Sequence, residues 1–330
     1  MPIAFSLLPM IARLGKGDSL HEETMRTNDT VTTMENLHQS VLVEEVLAGL
    51  ALREGETVID ATAGEGGHAE TLLSAASIRL IALDADSESV RKTRARLTPF
   101  GERASVLEGN FRDIKELLAK EGVSSVEKVL FDLGWNRGQL KAGKGLSFLG
   151  DEPLNMSYGA VPASHFTARD ILNDWSETAI ADVLFGYGGE RYARRIAKLL
   201  CRERSHTPIE TTAQLVALIG EAVPAGYRRG RIHFATRTFQ ALRIAVNDEL
   251  KSLERGLRSA WEILSPGGRI AVISFHSVED ALTKRLLREF SEEGGVRITK
   301  KPVVASAEEK RGNPSARSAK LRVIEKLSTR

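Results

Sequence analysis

The chain has 330 residues, and its 46 Lys and Arg against 44 Asp and Glu give a formal net charge of +2. A content of 42% hydrophobic and 27% charged residues excludes a disordered or collagen-like chain and supplies a core for one large domain or two smaller ones. No apolar run approaches the roughly 18 residues of a membrane span. The single cysteine, Cys201, excludes an intramolecular disulfide and any site with several Cys ligands. The near-zero net charge argues at first against a nucleic-acid partner.

Residues 1–34 are predicted to be a flexible N-terminal extension, because residues 15–33 are polar and show no periodicity. Their short apolar stretch precedes the first charge, Arg13, whereas a secretory signal carries its charge first. Met34 is an alternative start, and a weak signal peptide is an open alternative. Together with the single thiol, this pattern predicts a cytoplasmic protein.

Short β-rich segments alternate with helical patterns from residue 57 onward, which predicts a parallel, doubly wound α/β sheet. The predicted strands are residues 57–60, 79–84, 104–107, 128–134 and 269–275. Residues 321–324 are expected to add an edge strand. Residues 236–264 carry apolar side chains at helical spacing and are predicted to form one long amphipathic helix leading into the fifth strand.

About 135 residues separate the fourth and fifth predicted strands, far more than a crossover requires. The intervening segment has helical patterns, among them a capping box at 211–214 and an apolar face containing Ile196 and Leu200. Cys201 lies on that face and is expected in the core. We therefore predict a discontinuous domain of residues 35–139 and 234–330, interrupted by an inserted helical domain of residues 140–233.

A glycine-rich loop, residues 60–68, follows the first predicted strand and opens a helix. Glycines at this place let a ligand approach the backbone and the helix N-terminus. Asp84 ends the second strand, where a carboxylate can accept hydrogen bonds from both hydroxyls of a ribose. The spacing Gly64-x-Gly66-x-x-Ala69 also fits a dinucleotide fingerprint, so an NAD(P)-dependent oxidoreductase is an alternative. Asp60 favours S-adenosylmethionine, whose amino-acid end needs polar partners.

Several stretches resemble the bacterial 16S rRNA cytosine-N4 methyltransferases, the RsmH or MraW family, over residues 36–326. They are HQSVL at 38–42, GGH at 66–68, DLG at 132–134, QL at 139–140, GLSF at 145–148, GER at 189–191, ATRTFQALR at 235–243, ISFHSVED at 273–280, and NP with ARS at 313–318. The resemblance implies a Rossmann-like methyltransferase domain with an inserted helical substrate-binding domain. It also implies S-adenosylmethionine as methyl donor and a decoding-region cytidine of 16S rRNA, in the small ribosomal subunit, as acceptor.

The resemblance carries the cofactor contacts onto matching positions of this chain. These are Gly66, Gly67, His68, Asp84, Phe111, Asp132 and Gln139. For the acceptor, we predict that Asp132 contacts the cofactor or the amine, that Trp135 stacks on the extruded base and that Asn136 orients the amine. A strand-end acid, a core or lid tryptophan and a turn asparagine are the plain structural alternatives.

Two departures from the family pattern, at residues 135–138 and 155–159, lie where the substrate is expected. They leave open a non-catalytic RNA-binding assembly factor on the same fold. His276 is expected to be a structural or substrate-positioning residue rather than a general base, and His233 a substrate contact or a helix-start residue. Neither has the spacing of metal ligands, so we predict no metal site. A homodimer stays an open possibility.

Basic residues concentrate in two segments. Residues 187–237 contain ten Lys and Arg against four acids, and residues 297–330 contain ten against three. Such segments neutralise RNA phosphates, although a solvated helix face has the same composition. The RNA-binding candidates are Arg191, Arg195, Arg229, Arg231, His233, Arg237, His276 and Arg317. The near-neutral total is thus a sum of opposite regions and does not exclude RNA.

Overall fold

The computed structural model describes residues 39–134, 143–158 and 162–328, in which eight strands form one mixed sheet. The strands are β1 (Thr57–Asp60), β2 (Arg79–Asp84), β3 (Ala104–Glu108), β4 (Val126–Asp132), β5 (Leu264–Ser274), β6 (Gly295–Arg297), β7 (Val303–Val304) and β8 (Lys320–Lys326). Their order is β3-β2-β1-β4-β5-β8-β6, and β7 also pairs with β8. The first five strands are parallel, as the alternating sequence pattern predicts.

The strand predicted at residues 321–324 is confirmed as part of β8, but its predicted position at an edge of the sheet is wrong. Strand β8 lies inside the sheet, antiparallel to β5 on one side and to β6 and β7 on the other. Its side chains Leu321, Val323 and Ile324 are almost fully buried because helices cover both faces of the sheet. Position at an edge depends on partners far along the chain, which a local pattern does not contain.

Thirteen helices lie within the described residues. They are α1 (Val43–Leu50), α2 (Gly67–Ala75), α3 (Ser87–Leu97), α4 (Ile114–Lys120), α5 (Ala168–Asp174), α6 (Glu177–Gly188), α7 (Ala193–Arg204), α8 (Thr212–Ala222), α9 (Ala225–Arg228), α10 (Thr236–Asn247), α11 (Glu249–Ile263), α12 (Ser277–Glu292) and α13 (Ala307–Gly312). Short 3-10 segments cover Thr98–Arg103, Phe111–Asp113 and Pro314–Arg317. No helix of this described part is both long and apolar enough to cross a membrane.

Successive side chains of the parallel strands point to opposite faces, and each face has its own hydrophobic core. Leu80 and Ala82 of β2 pack with α1 and α2, whereas Ile81 and Leu83 pack with α4, α11 and α12. Phe131 of β4 is fully buried on the second face. Because both faces are covered, short apolar runs precede the acids that end β1, β2 and β4, which are Asp60, Asp84 and Asp132.

A third hydrophobic cluster joins α5 to α8 and α10, between Leu146 and Val246. The capping box predicted at 211–214 is confirmed, since Thr211 accepts the N–H of Gln214 and the Gln214 side chain accepts the N–H of Thr211. Cys201 packs against this cluster but is only partly buried, so its expected place in the core is confirmed only in part. Helix α10 contributes Phe239 to it, although the predicted boundary assigns that helix to the sheet domain. The domain boundaries stay predictions.

The prediction of one helix over residues 236–264 is also wrong. Helix α10 ends at Asn247 and α11 begins at Glu249, because Asp248 has a left-handed backbone with φ of 49°. Aspartate tolerates this conformation better than most residues. A one-residue break hardly disturbs the apolar period, so the sequence pattern does not report it. The break turns Glu249 back toward Arg243, whose Nε lies 2.7 Å from the Glu249 Oε1 atom.

Candidate active-site cleft

A cleft lies at the carboxyl ends of β1, β2 and β4, the edge at which open α/β sheets bind ligands. It contains about 940 Å³ of space between its walls, counting the open solvent at its mouth. The acids that end two of these strands, Asp84 and Asp132, both line it. Parallel strands bring their carboxyl ends to one edge, so the sequence pattern of strand-end acids correctly locates the cleft.

The glycine-rich loop contributes Thr62 and Gly64 to the cleft wall. Gly64 has φ of 55°, and nothing lies within 4 Å of the position that a Cβ would occupy. By contrast, a Cβ on Gly66 would contact Thr93 and Arg96, and one on Gly67 would collide with the Ser40 hydroxyl. Gly66 and Gly67 thus serve close packing at the start of α2, and their role as cofactor contacts stays a prediction.

Asp84 is held rigidly at the end of β2. Its Oδ2 accepts the N–H of Gly64 at 2.8 Å, and its Oδ1 accepts the N–H of Asp86 at 2.9 Å. Burial raises the pKa of Asp84 to about 6, although these backbone hydrogen bonds oppose the rise. Asp84 also lines the cleft, so its carboxylate can accept hydrogen bonds from ligand hydroxyls there.

Two further acids and a histidine lie beneath the loop. His68 is buried, and its Nε2 is 3.4 Å from Oδ2 of Asp132. Burial lowers the pKa of His68, but the hydrogen bond and charge of Asp132 more than offset this, so the pKa is raised overall. Asp60 is 1% exposed, and burial raises its pKa to about 7. Shifts of this kind concentrate at functional sites.

Asp60 is anchored at one oxygen. Its Oδ1 accepts the N–H of Thr62 at 3.2 Å, whereas its buried Oδ2 has no hydrogen-bond partner in the part of the chain that the structure describes. An unpaired buried acceptor costs stability unless a ligand or water satisfies it. A positively charged group in the cleft would also favour ionised Asp60. These observations fit a cationic cofactor, such as the sulfonium and ammonium groups of S-adenosylmethionine.

Phe111 forms the wall beside the end of β3. Its ring meets that of Phe131 edge-on, with centroids 5.6 Å apart, and it packs closely on Gly256 of α11. Neighbouring Asn110 caps the turn by accepting the N–H of Arg112, and both residues line the cleft. An aromatic ring and an amide at this place suit an adenine base, which agrees with the expected cofactor contact of Phe111.

The opposite wall of the cleft was anticipated from the sequence only at residues 155–159, where the substrate is expected. Tyr158, Asn247, Glu249, Ser252 and Glu279 all line the cleft. They come from a loop, from the α10–α11 junction and from the start of α12. Of these, Glu279 lies within a stretch that carries the family resemblance and Tyr158 within the departure at 155–159, whereas Asn247, Glu249 and Ser252 come from segments without a local signal. The predicted acceptor residues Trp135 and Asn136 and the predicted cofactor contact Gln139 lie outside the described residues.

The predicted RNA-binding residues divide into exposed and engaged groups. Arg195, Arg229, Arg231 and Arg317 are exposed. Arg191 is exposed too, and its guanidinium lies over the ring of Tyr227 at 4.7 Å from the centroid. Half-buried Arg237 donates to the Tyr227 hydroxyl at 3.0 Å.

The two histidines have different surroundings. The exposed His233 ring stacks on Phe148, with centroids 4.6 Å apart. His276 is the N-cap of α12, and its Nδ1 accepts the N–H of Glu279 at 3.3 Å. This supports the expected structural role of His276. It lies beside the cleft residue Glu279, so its assignment to RNA binding stays a prediction.

A parallel sheet extended by an antiparallel strand, with a ribose-type carboxylate and an aromatic wall at its carboxyl edge, defines the class of Rossmann-like S-adenosylmethionine-dependent methyltransferases. The model of the MraW methylase family matches residues 35–327. The chain therefore belongs to the MraW methylase family.

Relatives support this membership over nearly their full length. A protein of Geobacter sulfurreducens named ribosomal RNA small subunit methyltransferase H is 46% identical over 309 residues, covering 88% of this chain and 99% of the relative. A protein of the same name from Brevibacillus brevis is 41% identical over 316 residues, covering 90% of this chain and 100% of the relative. Another from Deinococcus deserti is 44% identical over 300 residues, with 91% and 96% covered.

Proposed function

We propose that this chain transfers a methyl group from S-adenosylmethionine to N4 of a cytidine in the decoding region of 16S rRNA. The observation that carries the proposal is membership of the MraW methylase family, together with near-complete coverage of relatives named ribosomal RNA small subunit methyltransferase H. The cleft supports the same reaction, since its carboxylates and aromatic wall suit this cofactor.

The residues of the cleft would bind the cofactor and orient the acceptor amine. These residues all line the cleft, so Asp84 would accept hydrogen bonds from the two ribose hydroxyls, Phe111 would contact the adenine, and Thr62 and Gly64 would lie near the amino-acid end. Asp132 is fixed on two sides, because its Oδ1 accepts the N–H of Gly134 and its Oδ2 faces His68. When bound, S-adenosylmethionine supplies a methyl group on a sulfonium, already a good leaving group. Orientation of the acceptor amine therefore contributes much of the rate.

The rRNA is proposed to dock on two parts of the chain. One is the helical region, which comprises α5 to α10 and their connections, and the other is the basic C-terminal segment of residues 297–330. The exposed arginines Arg191, Arg195, Arg229, Arg231 and Arg317 support this, because such side chains neutralise phosphates. The target base would be extruded into the cleft, as enzymes acting on a base require. We propose the small ribosomal subunit as partner and the cytoplasm, where that subunit is found in bacteria, as location. A homodimer stays a prediction.

Mass spectrometry of 16S rRNA nucleosides from strains with and without the gene tests the proposal. N4-methylcytidine should fall in the strain without the gene and return when the purified protein and S-adenosylmethionine are added to its subunits. Unchanged N4-methylcytidine would contradict the assigned reaction. Thermal stabilisation by S-adenosylhomocysteine without methyl transfer would instead favour a non-catalytic binding protein, and stabilisation by NADH alone an oxidoreductase.

A further inference from the structure

A cluster of polar side chains from four segments lies at the end of the cleft beside α10, α11 and the start of α12. Arg243 of α10 bonds Glu249 of α11 through both carboxylate oxygens, at 2.7 and 2.9 Å. The Tyr158 hydroxyl donates to the same Glu249 at 2.7 Å. The Nε2 of His276 lies 3.3 Å from an Arg243 nitrogen and 3.0 Å from Oε1 of Glu279. Tyr158, Glu249 and Glu279 line the cleft.

This cluster lies away from the end assigned to adenosine. Asp84 ends β2, while Glu279 lies in the first turn of the helix after β5, and β1 and β4 separate these two strands. Three strand spacings of about 4.8 Å place the two strand ends about 14 Å apart. A ribose held by Asp84 and an adenine beside Phe111 therefore leave the β5 side of the cleft for the acceptor.

The cluster contains one guanidinium, that of Arg243, and two carboxylates, those of Glu249 and Glu279, so its charges do not cancel. Burial lowers the pKa of Arg243, but the charge of Glu249 more than offsets this, so the guanidinium stays ionised and neutralises Glu249. Glu249, His276 and Glu279 could together supply three ligand atoms within 4.8 Å of one another. The bidentate Arg243 already brings the positive charge that a metal ion would supply there, so a metal is disfavoured. A second carboxylate, Glu279, remains to face the cleft.

The carboxylate of Glu279 is oriented from its own helix. Its Oε2 accepts the N–H groups of Phe275 and His276, at 3.0 and 3.4 Å. Because Nδ1 of His276 accepts the N–H of Glu279, the proton of the neutral ring lies on Nε2, toward Oε1. Since a carboxylate oxygen accepts two hydrogen bonds, Oε1 retains the capacity to accept one from a ligand donor. The cluster thus presents an oriented, negatively charged acceptor.

We propose that Glu279 determines the specificity for cytosine by accepting a hydrogen bond from the exocyclic amine of the target base. Carboxylates recognise cytosine at this amine, whereas uracil has a carbonyl oxygen at the same position and is repelled. The inference rests on the proposed function and adds the residue that distinguishes the acceptor base. Arg243, Glu249 and Tyr158 act as positioning residues that close the wall beside it.

The test compares Glu279→Gln with wild type and with Glu292→Gln, an exposed control on the same helix. Glutamine retains the capping box and an oxygen for the backbone N–H groups but loses the charge. Each protein, saturated with S-adenosylhomocysteine, is titrated with small subunits from a strain lacking the gene, carrying cytidine or uridine at the methylated position. Wild type and Glu292→Gln should prefer cytidine by about tenfold, and Glu279→Gln should lose that preference.

Three outcomes would overturn the inference. Equal affinity of wild type for the two kinds of subunit would do so without any variant. A Glu279→Gln protein that keeps the preference would show that other residues read the amine. A Glu279→Gln protein with weakened S-adenosylhomocysteine affinity in calorimetry would assign the cluster to the cofactor. Failure of the proposed function is a separate result, because wild type would then methylate no cytidine of these subunits.

Discussion

The sheet region, which comprises β1 to β8 and the helices packed on them, differs from the helical region in the sign and the exposure of its charged side chains. In the sheet region, buried Asp60 and partly buried Asp84 lie at strand ends, and burial raises the pKa of both. In the helical region, Arg191 and Arg195 are exposed at the start of α7. Burying an acid destabilises the protein without its ligand, whereas an exposed arginine costs little. The contrast agrees with the proposed function, in which the sheet region binds a small cationic cofactor and the helical region binds RNA.

The largest expected effect tests the packing of the helical region. Phe239 is 4% exposed and meets Phe148 edge-on, so Phe239→Ala should lower the free energy of unfolding by about 3–5 kcal/mol. Urea denaturation measures this loss. The 67% exposed Phe185 is the control, and Phe185→Ala should change stability little. If the two regions have separate tasks, the folded Phe239→Ala protein should bind S-adenosylhomocysteine within twofold of wild type.

The next effect concerns the cofactor end of the cleft. Asp84→Ala removes the acceptor proposed for two ribose hydroxyls and should weaken S-adenosylhomocysteine binding by about 100-fold, as measured by calorimetry. Glu108→Ala is a matched control, because exposed Glu108 pairs with Asp84 in the β2–β3 register. Unaltered affinity of Asp84→Ala would mean that the ribose lies elsewhere.

A smaller effect follows from the raised pKa of Asp60. Because this pKa rises from 3.8 to about 7 on folding, the native state holds more protons between these pH values and loses stability as the pH increases. Asp60→Asn cannot ionise, so the stability that the cofactor-free variant gains over wild type should be about 2–3 kcal/mol larger at pH 8 than at pH 5. Urea denaturation at both pH values tests this, with exposed Asp174→Asn as control. A gain that is equal at the two pH values would contradict the titration of Asp60.

The smallest expected effect concerns RNA binding by the helical region. Replacing both Arg191 and Arg195 by Ala should weaken binding to small subunits by about fivefold and make the affinity less dependent on salt. The control removes two arginines from the sheet region, Arg255 and Arg285, both already paired with acids. Equal losses in the two double variants would show that net charge, rather than the helical surface, governs RNA binding.

Features that depend on residues close together in the chain could be predicted from the sequence. Strand-end acids at Asp84 and Asp132 locate the cleft because parallel strands bring their carboxyl ends to one edge. The capping box at Thr211 is equally local, since its hydrogen bonds join residues three apart. The family motifs likewise identify a methyltransferase from residues that are contiguous in the chain.

Features that depend on contacts between distant segments could be read only from the tertiary structure. Strand β8 lies inside the sheet because β5, β6 and β7 pair with it, and Asp248 breaks a helix whose apolar period continues past it. That break places Glu249 against Arg243, beside Glu279 from a different helix. These contacts arise from packing between segments far apart in the chain, whereas periodicity and capping signals extend over only a few residues. The arrangement of these residues on one side of the cleft therefore follows only from the tertiary structure.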